Sequence, residues 1–204
     1  AEATTEVAQE STEATTEATT EAALDTTSLT SSKDTVADVA NYSLDTTSAD
    51  GKVSVSYKTH IQTYGWEKEY ITDGHTSGTV GESKRLEGIQ MKVSGMEGGI
   101  EYRTQVQTYG WEPTYTANDG VAGTVGQSKR LEAIQIRLTG AIAQAYDVYY
   151  RVHVQTYGWQ GWVKNDEVSG TVGKSKRLEG IQIQLVKKGG KPVNTGNYLE
   201  YSTH

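Results

Sequence analysis

The sequence contains no cysteine and no phenylalanine, and it has only two prolines. The absence of cysteine excludes disulfides and thiolate metal sites, so the fold must rely on packing and hydrogen bonds. No apolar run approaches the length of about eighteen residues that indicates a membrane-spanning helix, so membrane insertion is not expected. Tyrosine, by contrast, occurs thirteen times. Buried aromatic positions are therefore expected to carry hydroxyl groups that need hydrogen-bond partners.

Acidic residues are concentrated at one end of the chain. Residues 1–50 hold eleven acids and one base, Lys33, whereas residues 51–204 hold fifteen acids and eighteen bases. The Thr/Glu/Ala-rich runs of residues 1–50 have no apolar periodicity and too little bulk to offset chain entropy, so this part is predicted to be a disordered spacer. In the remainder, bases are interspersed with acids and form no basic stripe. Nucleic acid is therefore not an expected partner.

One unit is repeated three times. Residues 57–66 return as residues 102–111 and 150–159, and each copy leads through Gly-Thr-Val-Gly into Ser-Lys-Arg-Leu-Glu. Copies at this period form supersecondary units that share one core. We assign a three-repeat domain to residues 51–190, with repeats over about 53–95, 100–140 and 148–188. Residues 191–204 are assigned to a linker and the start of a further repeat.

Each repeat has the pattern of β-strands. Val53, Val55, Tyr57, Thr59 and Ile61 alternate with polar residues, and Ile89, Met91 and Val93 alternate in the same way at the far end of the repeat. A period of two indicates half-buried strands. Asp73-Gly74 indicates a hairpin between two short strands, and Asn165-Asp166 replaces it in the third copy.

The repeat arrangement predicts an all-β, closed, pseudo-threefold domain. Short Gly-rich connections favour pairing of the last strand of one repeat with the first strand of the next, and the third repeat then closes on the first. A β-trefoil-like fold satisfies this pattern most simply, with a β-prism as the close alternative. Solenoid stacking is a weaker third option, because only three copies are present.

The candidate binding residues follow from strand parity. Tyr64 and its equivalents have the parity of the polar face and are the best candidates for exposed aromatics in a ligand site, together with the neighbouring glutamines and a tryptophan without a counterpart. These ligand-binding candidates are Tyr64, Tyr109, Tyr157, Gln62, Gln107, Gln155 and Trp162.

A second set recurs in every copy and has two alternative roles. The Arg-Glu pairs share the parity of the core residues, and each tryptophan ends a strand next to a glycine. We expect the pairs to clamp the packing and the indoles to plug the bottom of the core, with ligand binding as the alternative for both. The residues are Trp66, Trp111, Trp159, Arg85, Arg130, Arg177, Glu87, Glu132 and Glu179.

Metal binding and catalysis are not expected. Gln105 stands where the other copies have His60 and His153, so a metal site that needs histidine in each copy is excluded. Equivalent glutamates do not supply the two unlike carboxylates of an acid–base pair, and no nucleophile, base and orienting group converge in the sequence. We therefore expect neither a cofactor nor enzymatic activity.

The repeated pattern YxxHVQxxGW…GTxGxSKRLExIQI, over residues 53–186, resembles the ChW repeat, the clostridial hydrophobic repeat with a characteristic tryptophan. The resemblance implies a secreted or surface-displayed bacterial module, often in sets of three, that binds polysaccharide or protein. The expected function is an extracellular adhesion module that recognises a glycan through repeated shallow sites. The alternatives are an adhesin that binds an extracellular protein, with a patch around Trp162, and a structural or targeting module of a larger secreted protein.

The end of the sequence resembles the start of a repeat. Residues 199–204 match residues 55–60, with Tyr201, Thr203 and His204 in register with Tyr57, Thr59 and His60. We therefore expect a fourth repeat to begin there.

Overall fold

The computed structural model describes residues 52–194; residues 1–51 and 195–204 lie outside the described part. The described chain is all-β, with fifteen strands and one short helix. The predictions of a spacer over residues 1–50 and of a new repeat at residues 199–204 thus fall outside the described residues.

Each repeat contributes two long strands and three two-residue strands. The first repeat has β1 (Ser54–Ile61), β2 (Gly65–Trp66), β3 (Ile71–Thr72), β4 (Ser77–Gly78) and β5 (Leu86–Ser94). The second has β6 (Gly99–Val106), β7 (Gly110–Trp111), β8 (Thr116–Ala117), β9 (Ala122–Gly123) and β10 (Leu131–Thr139). The third has β11 (Tyr146–Val154), β12 (Gly158–Trp159), β13 (Val163–Lys164), β14 (Ser169–Gly170) and β15 (Leu178–Lys187).

The strands form three antiparallel sheets of five strands, and none of these sheets closes into a barrel. In each sheet the two long strands of one repeat pair with each other, and the second and third strands of that repeat pair with its first long strand. The fifth strand comes from a neighbour: β9 pairs with β5, β14 with β10, and β4 with β15. Each repeat therefore completes the sheet of another.

Two expectations about pairing were wrong. The last strand of a repeat pairs with the first strand of the same repeat, as in β1 with β5, and not with the first strand of the next. Asp73 and Gly74 do form a turn, with φ of 37° and 85°. The strands on either side of this turn do not pair with each other, however, since β3 joins β1 and β4 joins β15. The turn therefore connects strands of two different sheets, that of β1 and that of β15.

The alternation in β1 is confirmed and explains the core. Val55, Tyr57, Thr59 and Ile61 are buried, whereas the residues between them are half-exposed. Equivalent residues of all three sheets meet in one buried cluster that contains about twenty apolar side chains. The three repeats therefore share a single core, because one repeat is too small to bury its own apolar face.

A β-bulge changes the parity of the last strand. His60 pairs with Gly88 and Ile61 pairs with Leu86, so Glu87 is the extra residue. Leu86 is thereby placed in the core together with Ile89. The same shift occurs at Glu132 and Glu179.

The contacts between successive repeats use equivalent atoms; we call each such contact a junction. The backbone N–H of Thr124 donates to Glu87 O at 2.9 Å, and the N–H of Asp119 donates to Met91 O at 2.7 Å. Thr171 and Asp166 make the same contacts to the second repeat. Thr79 and Gly74 make them from the first repeat to the third, with Glu179 O and Ile183 O as acceptors. The junctions thus run from repeat two to one, three to two and one to three.

A buried tyrosine completes each junction. The Tyr102 hydroxyl accepts the N–H of Met91 at 3.1 Å and donates to Gly120 O. Tyr57 accepts from Ile183 and Tyr150 from Ile136, each at 3.1 Å. Burial raises the pKa of all three hydroxyls far above the usual value. Phenylalanine in these positions would leave strand-edge groups unpaired, which gives a physical reason for tyrosine here.

The connection between repeats two and three contains a short helix that the sequence did not indicate. It is α1 (Ala141–Ala145), and it buries Ile142. The Ile142 N–H donates to Glu97 O at 2.8 Å, which ties this connection to the one between repeats one and two.

Tyr102→Phe is expected to destabilise the domain by about 2 kcal/mol, because the Met91 N–H and Gly120 C=O lose their buried partner. Urea unfolding measures the change. Tyr109→Phe is the matched control, since Tyr109 is exposed, and it should leave the midpoint almost unchanged. Equal midpoints for Tyr102→Phe and wild type would show that the hydroxyl does not hold the junction.

A chain shortened to residues 51–140 is expected not to fold as a monomer, because the edge of β10 loses β14 and the strand β4 loses β15. A chain of residues 51–194 should unfold in one cooperative transition. Thermal unfolding with a measurement of mass in solution tests both. A sharp transition of a monomeric two-repeat chain would contradict the shared core.

Candidate functional site

Within residues 52–194, the most exposed aromatic side chains lie at one turn of each repeat. The turn follows the first long strand, where the Tyr64 N–H donates to Ile61 O at 3.1 Å. Thr63 adopts a left-handed conformation, with φ of 69°, and the same holds for Thr108 and Thr156. This backbone turns the tyrosine ring outwards. The exposed fractions are 60% for Tyr64, 60% for Tyr109 and 41% for Tyr157.

Each of these rings has a lysine beside it, and we call the pair with its surrounding loop the tip of the repeat. Lys84 Nζ lies 5.3 Å from the centre of the Tyr64 ring, Lys129 Nζ 5.5 Å from Tyr109, and Lys176 Nζ 5.8 Å from Tyr157. These are cation–π distances. The lysine comes from the Ser-Lys-Arg motif, so this motif and the Tyr-Gly-Trp motif meet at the tip.

The tips differ at the residue that faces the tyrosine hydroxyl. Tyr64 donates to Glu82 at 2.9 Å, and this contact raises the pKa of the Tyr64 hydroxyl. Tyr109 donates to Gln127 at 3.0 Å. The corresponding position in the third repeat is Lys174.

The glutamines predicted to bind ligand, Gln62, Gln107 and Gln155, are half-buried beside the tips. Their backbone N–H groups donate to Arg85 O, Arg130 O and Arg177 O, each at 3.0 Å. These bonds tie the tip turn to the strand that follows the lysine. The positions are therefore next to the tips, and their observed contacts are made by the backbone.

The Arg-Glu pairs are present in all three copies. The nitrogen–oxygen distances of Arg85–Glu87, Arg130–Glu132 and Arg177–Glu179 are 2.7–2.8 Å, and the glutamates are buried. His60 Nδ1 lies 3.2 Å from Glu87. The expected position on the core face was wrong: the bulge turns Glu87 towards His60, on the outer face of the sheet.

The expected place of the tryptophans at the bottom of the core was also wrong. Trp66 is the cross-strand partner of His60, and directly paired residues share a face, so its indole lies on the outer side of the sheet. The ring of His60 meets that of Trp66 edge-on at 5.5 Å. Trp66 and Trp111 are half-buried, whereas Trp159 is buried with 5% exposure.

Each tryptophan belongs to a second repeated cluster, which we call the stack: a cation between two aromatic rings on the outer face. Arg103 lies 5.3 Å from Trp111 and 4.8 Å from Tyr115. Lys58 occupies the same place between Trp66 and Tyr70. Sequence reasoning missed this cluster, because its members are far apart in the repeat and carry different residue types.

Trp162 belongs to the third stack. Arg151 lies 4.8 Å from Trp162 and 5.3 Å from Trp159, so Trp162 occupies the place of Tyr70 and Tyr115. The sequence alone shows no counterpart of Trp162, because the third repeat is one residue shorter before this position. It therefore has structural counterparts, though not tryptophans.

The first and second stacks are closed by an aspartate of the following repeat. Tyr70 donates to Asp119, and Lys92 lies 3.8 Å from the same carboxylate. Burial, followed by the contact with Asp119, raises the pKa of Tyr70 to about 12. Asp166 has the same role for Tyr115 and Arg137.

The third stack is covered by the chain itself. The equivalent of these aspartates is Gly74, and a Cβ there would lie 2.3 Å from Nε2 of Gln184. The side-chain amide of Gln184 bonds both the N–H and the C=O of Val193, and Trp162 Nε1 donates to Asn194 at 3.0 Å. Residues 193–194 thus lie over the third stack, where Arg151 is 1% exposed.

Residues 52–194 contain no group of three or more His, Cys, Asp or Glu side chains placed to hold a metal ion. No helix within this part of the chain is long and apolar enough to cross a membrane.

The architecture and the repeated Tyr-Gly-Trp and Ser-Lys-Arg motifs define a three-repeat, all-β protein. The family model for the clostridial hydrophobic W repeat (ChW) matches residues 60–95, 105–140 and 153–187, which together make up more than half of the chain. The chain belongs to this family. A search of curated proteins and a search of solved structures gave no match.

Trp159→Ala is expected to cost about 3–5 kcal/mol of stability, as truncation of a buried aromatic does. Trp111→Ala should cost less, because the half-buried indole of Trp111 already contacts solvent. Urea unfolding of both variants checks the order. Equal losses would show that the difference in burial between the repeats does not affect stability.

Proposed function

We propose that this chain is an extracellular bacterial surface module that binds polysaccharide through its three tips. The observation that carries the proposal is the exposed tyrosine that recurs at the same turn of every repeat. A flat, exposed aromatic ring is a platform for the apolar face of a sugar, and its hydroxyl offers a hydrogen bond at the edge. In this proposal the module has no enzymatic activity and is secreted or attached to the cell surface.

Repetition supports a polymeric ligand. Equivalent head-to-tail contacts that close after three units form a ring, and such a ring places equivalent residues at the same level along its axis. Three weak sites on one molecule gain affinity for a repetitive polymer by avidity, by about 10²- to 10⁴-fold.

The same ring of contacts bears on the architecture. We propose a closed pseudo-threefold arrangement of the three sheets of the β-prism kind. It is favoured over a β-trefoil because none of the observed sheets closes into a barrel.

The alternative, an adhesin that binds protein around Trp162, has less support. Trp162 is half-buried, and its indole nitrogen already donates to Asn194. The tips, by comparison, present more exposed aromatic surface.

Binding to immobilised polysaccharides tests the proposal. Changing Tyr64, Tyr109 and Tyr157 together to Ala should reduce the apparent affinity by about 100-fold or more, because the avidity is lost. The same three changes to Phe should retain most of it, since the ring remains.

The control is Val121→Ala with Val168→Ala, two exposed apolar side chains outside the tips. This variant should bind like wild type. If the triple Ala variant kept full affinity for the polysaccharides that wild type binds, the tips would not be the binding sites.

A further inference from the structure

The cations of the repeat motif fall into two groups. Arg85, Arg130 and Arg177 each lie within 2.8 Å of a buried glutamate, so their charge is neutralised. The lysine before each arginine has no carboxylate within ion-pair distance among residues 52–194. Its nearest described aromatic neighbour is the exposed tyrosine of its own tip.

The charge of the tip rises along the chain. In the first repeat Glu82 offsets Lys84, which gives zero. In the second, Gln127 replaces the acid and Lys129 leaves a charge of +1. In the third, Lys174 and Lys176 together give +2. The same structural position thus changes from acid to amide to base, while the tyrosine stays constant.

An ammonium beside an exposed ring suits a particular kind of sugar. A pyranose that stacks on the ring brings the substituents at its edge towards the lysine. An anionic substituent at that edge gains a charge-assisted contact, whereas a neutral hydroxyl gains only an ordinary hydrogen bond. The advantage is greatest in the third repeat, where no tip carboxylate competes and Lys174 adds a second positive charge to that of Lys176.

We infer that the tips select acidic polysaccharides, with the tyrosine stacking on a sugar ring and the lysines holding its carboxylate or sulfate, and that the third repeat contributes most. The inference rests on the proposed function, because it names the class of glycan that the same sites take. It separates acidic from neutral polymers and ranks the three repeats.

The test compares the binding of the full chain to four polymers: polygalacturonate, dextran sulfate, neutral dextran and poly-glutamate. Polygalacturonate and dextran sulfate represent the two sources of the anionic group, dextran is the neutral sugar, and poly-glutamate is an anion without sugar rings. We expect at least one acidic polysaccharide to bind about tenfold or more tightly than dextran or poly-glutamate. Its affinity should fall as the salt concentration is raised.

Two double variants with equal loss of charge make the test specific. Lys174→Gln with Lys176→Gln should lower the affinity for the acidic polysaccharide about tenfold. Lys187→Gln with Lys191→Gln removes two exposed lysines, one at the last residue of β15 and one beyond the strand. This variant should change the affinity less than about twofold. Glu82→Gln, which raises the charge of the first tip, should strengthen binding.

Three outcomes separate the ways of failing. Dextran that binds as tightly as the acidic polymers, with no effect of Lys174→Gln and Lys176→Gln, would overturn the inference and leave the proposed function standing. Poly-glutamate that binds as well as polygalacturonate would overturn the inference in favour of general attraction between charges. A chain that bound none of the polysaccharides, acidic or neutral, would overturn the proposed function itself.

Discussion

The structure depends on the hydrogen bonds that a buried tyrosine makes across each junction. A last long strand such as β5 has one edge paired with β1, and at Met91 the other edge faces the next repeat. The Tyr102 hydroxyl accepts a hydrogen bond from the N–H of Met91, and the N–H of Asp119 donates to the C=O of Met91. Because an unpaired buried backbone group costs about 1–3 kcal/mol, three such junctions bind the repeats into one unit. Because the backbone of the junctions supplies partners for the hydroxyl, tyrosine can be the buried aromatic residue in a chain without phenylalanine.

The junctions leave the tips free to vary. Partners within the domain bind the core tyrosines, the bulged glutamates and the short exchanged strands. The tip residues, by contrast, contact mostly solvent and one another. Glu82, Gln127 and Lys174 can therefore differ without disturbing the shared core. A constant scaffold with variable exposed residues suits a binding module that is built from repeats.

Much of the fold could be predicted from the sequence, and the failures have identifiable causes. The alternation around Tyr57 indicated the long strands, because a half-buried strand has a period of two. The exchanged strand β4 has only two residues, which is too short for a periodic signal, so its pairing with β15 was missed. The bulge at Glu87 shifted the parity by one residue and so reversed the predicted face of the Arg-Glu pairs. The tryptophans were misplaced for another reason, because the tip turn pairs Trp66 with His60 on the outer face of the sheet. A one-residue deletion before Trp162 hid its equivalence to Tyr70 and Tyr115, and nothing in the sequence indicated that residues 193–194 cover the third stack. The exposed tyrosines of the tips were found from parity alone, whereas the lysines beside them became evident only from the structure.

Hydrogen exchange of three amides tests the central claim most directly. The N–H groups of Met91, Ile136 and Ile183 are the donors to the junction tyrosines. If the three junctions form one closed unit, all three amides should exchange only through global unfolding, with the same free energy of opening. An amide that exchanged through a local opening of much lower free energy, while the other two stayed protected, would show that its junction is open and that the repeats do not form a closed ring.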